Sequence, residues 1–175
     1  MLLRKIVALA AGVLVLGGCG DDPVGSADAQ NNLVFTRQDG SRADLGNRFN
    51  VWCDAWEPGE VAAPTVWVLA RGEGESGWIL KGVRADVGGG QPVTFPLDFP
   101  FDQPRGAQFF VNDGENELSS SEPESSGSLT FQEVSCERGG TVRFTVDAVL
   151  GSEFGNGPSM RVAGSFQGTV GPRPF

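Results

Sequence analysis

Thr141-Val-Arg-Phe-Thr-Val-Asp-Ala-Val-Leu150 decides the fold class. Val142, Phe144, Val146, Ala148 and Leu150 fall at every second position, and Arg143, Thr145 and Asp147 fall between them. Side chains alternate between the two faces of a β-strand, so this period predicts a strand with one face on a core and the other in water. Ser159 to Val170 repeats the pattern. Met160, Val162, Phe166 and Val170 point inward, and Arg161, Ser165, Gln167 and Thr169 point outward. The link Gly151-Ser-Glu-Phe-Gly-Asn-Gly-Pro158 is turn material, which predicts an antiparallel hairpin. Ser128 to Val134 precedes the hairpin across the turn Cys136-Glu-Arg-Gly-Gly140, making a three-stranded meander.

Upstream, Phe49 to Trp56, Thr65 to Arg71 and Gly77 to Val87 carry apolar residues on both faces, as central or doubly covered strands do. Pro92, Pro96, Pro100 and Pro104 run through a Phe-rich stretch. Proline cannot donate to a β-ladder, so an edge strand or extended segment is expected there. Ala107 to Val111 reads as a further short strand. Residues 113–127, rich in Ser, Glu, Gly and Asn, read as a long mobile loop. No stretch has helical periodicity. The expected architecture is all-β, an antiparallel β-sandwich of about eight strands over residues 33–175, with a β-barrel as the alternative.

The N-terminus carries a different message. Arg4 and Lys5 precede an apolar run from Ile6 to Leu16, which is too short to span a bilayer. The run ends in Leu16-Gly17-Gly18-Cys19. This resembles the lipobox of bacterial lipoproteins, which implies a signal peptide over 1–18 and a lipidated Cys19 as the first mature residue. The resemblance implies a membrane anchor in the cell envelope. Gly20 rather than Asp after Cys19 points to the outer membrane by analogy with enteric sorting. Residues 19–32 are expected to form a flexible tether. The pattern Gly127-Ser-Leu-Thr-Phe131, Thr141-Val-Arg-Phe144 and Val162-Ala-Gly-Ser-Phe166 also resembles exported bacterial lipoproteins that have no defined activity. It implies a fold class and a location only.

Cys53 and Cys136 then remain, and two cysteines in an exported chain are expected to form one disulfide. The chain holds 22 acidic residues against 13 basic ones, a balance that argues against nucleic-acid partners. Histidine is absent, which removes Ser-His and Cys-His catalysis. Gly72-Glu-Gly-Glu-Ser-Gly77 matches the dinucleotide fingerprint by letter, but a strand follows it and its glutamates repel phosphate. It reads as a hairpin loop. Asn112-Asp-Gly-Glu-Asn-Glu117 reads as a solvated acidic turn, with calcium bound by Asp113, Glu115 and Glu117 as the alternative. No other cofactor is expected. Trp52, Trp56, Trp67 and Trp78 are core residues or, where they face outward, contacts for a glycan. The expected function is a lipid-anchored, non-enzymatic structural or binding module whose partner is an envelope protein or a polysaccharide. A glycan hydrolase built on two carboxylates and a calcium-stabilised surface domain are the alternatives.

Overall fold

The computed structural model describes residues 29–55, 64–96, 106–153 and 157–174. Its strands are β1 (Gln30–Asn31), β2 (Val34–Arg37), β3 (Arg42–Ala43), β4 (Arg48–Ala55), β5 (Pro64–Arg71), β6 (Gly77–Val83), β7 (Val93–Phe95), β8 (Ala107–Asn112), β9 (Glu117–Ser119), β10 (Ser126–Val134), β11 (Thr141–Ser152) and β12 (Met160–Thr169). One helical turn, α1 (Arg84–Val87), follows β6. All pairings are antiparallel, and they join the strands into one curled sheet, a half-barrel. The all-β class and the single disulfide are as expected. The barrel alternative describes the curled sheet well, because its layers belong to one continuous sheet.

The continuity runs through β11. Thr141 to Leu150 pairs with β12, and Val142 to Val149 pairs with β10 on the other side. Further along, Gly151 and Ser152 pair with Ser119 and Leu118 of β9. The long strand thus passes from one layer into the next. From β9 the order continues through β8, β6 and β5 to β4. The alternation read in the sequence holds residue by residue. Val142, Phe144, Val146, Ala148 and Leu150 are buried, and Arg143, Thr145 and Asp147 are exposed.

The inward faces meet in an aromatic cluster. Phe166 of β12 lies 5.3 Å from Phe49 of β4, 5.7 Å from Trp78 of β6 and 5.3 Å from Phe144 of β11, centroid to centroid. Trp78 stacks on Phe109 of β8 at 5.3 Å. The curl closes at its C-terminal end. The Gly171 N–H donates to the Val51 carbonyl at 2.8 Å. Cys53 of β4 is bonded to Cys136, with Cα atoms 5.5 Å apart. Arg173 pairs with Asp54.

Several boundaries differ from the sequence reading. Gln30 and Asn31, expected in the tether, pair with Gln167 and Phe166 of β12. Room for the passage from β1 to β2 comes from Gly164 at φ +132°, because a Cβ there would collide with the Asn32 carbonyl. The strand expected to run to Val87 stops at Val83, and α1 places Val87 in the core. Among the described residues β7 pairs with β10 alone, as an edge strand near proline should.

The region expected to be a mobile loop, 113–127, is tied down instead. It contains β9, and Ser119, Ser120 and Ser125 are buried. The Ser120 hydroxyl accepts the Phe109 N–H at 2.9 Å. The Ser125 hydroxyl donates to the Ser119 carbonyl at 2.7 Å and accepts the Gly151 N–H at 2.9 Å. Buried hydroxyls thus replace missing ladder bonds at the bend where β11 changes layer. Replacing Ser125 by alanine leaves two buried backbone groups unpaired. The expected cost is about 1–3 kcal/mol of stability, read as a lower urea midpoint with an unchanged slope.

Candidate functional site

The tryptophans divide between the two faces of the sheet. Trp52 and Trp67 are cross-strand partners on β4 and β5. Their rings are stacked, 5.8 Å apart and 3° from parallel, on the face opposite Val51, Val66 and Val68. Trp52 is buried and Trp67 half-buried. Trp78 points the other way, into the aromatic cluster, and is 2% exposed. Its Nε1 has no hydrogen-bond partner among the described residues. Trp56 lies outside the described residues. Of the four expected glycan contacts, the structure brings Trp52 and Trp67 together and places Trp78 in the core.

Lys81 follows in register from Trp67 on the same outer face. Its ammonium stands 5.1 Å from the Phe110 ring centroid, within cation–π range. Burial pushes its pKa down from 10.5 to about 8. A lysine whose folded pKa is depressed binds fewer protons in the folded state, so folding gains as pH rises from about 8 towards 10.5. The chain has no Tyr or His, and Cys53 and Cys136 are bonded to each other, so few other groups titrate in that window. Denaturant midpoints are therefore expected to rise between pH 8 and 10. Lys81→Met should flatten that rise, and an equal rise in the variant would assign it elsewhere.

The acidic turn 112–117 joins β8 to β9. Arg37 Nε donates to Asp113 Oδ2 at 2.8 Å. Asp113 Oδ1 accepts the Glu115 and Asn116 backbone N–H groups at 3.1 and 2.8 Å. Burial opposes the Asp113 charge, but the Arg37 bond and these N–H groups outweigh it and hold the carboxyl below its ordinary value. Both oxygens are thus engaged within the protein. Glu115 and Glu117 are exposed, and Glu117 stands near Glu153, whose pKa is raised by burial and then by Glu117 and Glu122. Among the described residues, no group of three or more His, Cys, Asp or Glu is placed to hold a metal ion.

Two cavities open on this side of the molecule. One, of about 340 Å³, is lined by Gly77, Ile79 and Phe110 together with Glu75, Glu117 and Glu153. The other, of about 520 Å³, lies between residues 44–48 and the loop joining β5 to β6, with Arg48 and Arg71 in its wall. Arg48 and Arg71 are direct cross-strand partners. Sequence reasoning missed this pair. The two residues are 23 positions apart, and only the β4–β5 register sets one against the other.

Comparison of the chain with protein-family models, with curated proteins and with solved structures finds no match.

Proposed function

We propose that the protein is a lipid-anchored, non-enzymatic binding module of the bacterial cell envelope. The observation that carries this reading is Leu16-Gly17-Gly18-Cys19 at the end of a short apolar run behind Arg4 and Lys5. A disulfide between Cys53 and Cys136 supports an oxidising compartment. A curled sheet with two cavities lined by charged side chains supports binding by shape and charge. The partner class is an envelope protein or polysaccharide, reached from a membrane through the lipid on Cys19. The excess of acidic residues argues against nucleic acid.

The test is detergent phase partition after growth of a bacterial host with a clickable fatty acid. The full chain is expected in the detergent phase carrying the label. Cys19→Ala is expected in the aqueous phase without it. An unlabelled wild-type chain in the aqueous phase would overturn the anchor.

A further inference from the structure

We propose that the cavity between residues 44–48 and 71–76 binds an acidic polysaccharide, with a sugar carboxylate held by Arg48 and Arg71. The inference rests on the binding-module reading and names its ligand class. It makes no use of the lipid anchor.

Arg48 and Arg71 form an unfavourable pair. Phe49 and Ala70 are buried cross-strand partners, so alternation turns Arg48 and Arg71 outward, side by side on the other face. Like charges directly opposed on a sheet are destabilising. Among the described residues neither guanidinium forms an ion pair. The chain has 22 acidic residues from which a partner for either could have been drawn. Two arginines in the wall of one cavity suit an oxyanion, which a guanidinium can grip through two parallel N–H bonds.

The space is built rather than incidental. Gly46, at φ +88°, lies so close to the Arg71 carbonyl that a Cβ would collide with it. The Gly46 N–H donates to Asp44 Oδ1 at 3.0 Å. Across the cavity, the Gly72 N–H donates to the Ser76 carbonyl at 2.9 Å, and the Ser76 hydroxyl donates to the Glu73 carbonyl at 2.8 Å. The hydrogen bonds fix each wall internally, and the close approach of Gly46 to Arg71 packs one wall on the other, which lowers the ordering cost of binding.

The remaining lining selects the ligand. Asp44, Glu73, Asn47 and Ser76 share the cavity with the arginines. A bare anion or a lipid headgroup meets the two carboxylates as repulsion. An acidic sugar satisfies both kinds of group, because its hydroxyls donate to the carboxylates while its own anion takes the guanidinium groups. A net charge of −9 also disfavours approach to an anionic bilayer.

The experiment is calorimetric titration of the full chain, in neutral detergent, with a short polyuronate. Inorganic phosphate, soluble glycerol 3-phosphate as a lipid-headgroup mimic and a neutral oligosaccharide of equal length are titrated in parallel. Wild type is expected to bind the polyuronate, and added salt should weaken binding. Arg48→Gln and Arg71→Gln should each weaken it by about tenfold or more, as loss of a charged hydrogen-bond donor does. Melting temperatures should be unchanged or higher, because the like-charge contact is gone. Arg71→Lys, which keeps the charge and loses the fork, should fall between wild type and Arg71→Gln. Four results would overturn the proposal: equal binding of the neutral sugar, unchanged polyuronate binding by the double Gln variant, phosphate or glycerol 3-phosphate binding as strongly as polyuronate, or no polyuronate binding by a folded wild type. None of these alters the phase partition of Cys19, so failure here and failure of the anchor are read separately.

Discussion

Phe166→Ala is expected to destabilise the fold by about 3–5 kcal/mol, the range for removing a buried aromatic ring. Phe166 is 1% exposed and touches rings from three other strands, Phe49, Trp78 and Phe144. Its deletion removes apolar burial and also leaves a space that rigid aromatic neighbours fill poorly. A domain of this size commonly holds only about 5–15 kcal/mol in total, so the variant should melt far lower and populate unfolded chain at growth temperature. Val34→Ala is the control. Val34 is 37% exposed, and its truncation should stay within about 0.5 kcal/mol. Urea unfolding followed by tryptophan fluorescence measures both. Similar midpoints for the two variants would show that the aromatic cluster does not join the layers as described.

Cys53→Ser with Cys136→Ser is the second large effect, an expected loss of about 4 kcal/mol on the chain-entropy account. The crosslink spans 83 residues, and a long loop gains the most conformational freedom in the unfolded chain when it is cut. The native state should also loosen locally. The Gly171 N–H bond to Val51 and the Arg173–Asp54 pair lie beside the crosslink and close the same seam. Hydrogen exchange at Gly171 is expected to accelerate more than at Phe144, in the middle of β11. Equal acceleration at both sites would mean that the disulfide acts on the unfolded state alone.

The sequence was most legible where one side of a strand is wet. β11 and β12 could be drawn from period alone, because Arg143, Thr145 and Asp147 mark the solvent face against five buried partners. The hairpin loop at 72–76 was equally clear from its glycines. Legibility failed where polar residues go inside. Ser119, Ser120 and Ser125 look like loop composition, yet their burial depends on backbone groups that only the bend of β11 brings near. It failed again at the boundary of the tether, since β1 is two residues long and gains its partner from β12 at the far end of the chain. The site followed the same rule. Residue types that carry charge were visible, but which arginine faces which is a property of register, and register is set by the whole inward face. Four tryptophans clustered in sequence likewise do not make one surface, because an odd or even count along a strand sends a ring outward or into the core.

The pairing of β1 and β2 with β12 has a consequence for how the chain comes to be folded. The first two strands and the last lie side by side, with nearly the entire sequence looped between them. Ladder bonds on that side of the sheet cannot form while the C-terminal residues are still being synthesised. Contacts of this span are also slow to form, because the loop must close before any bond rewards it. β1 and β2 thus lack their β12 partner until the last strand is made, which leaves this side of the sheet to be completed at the end of folding.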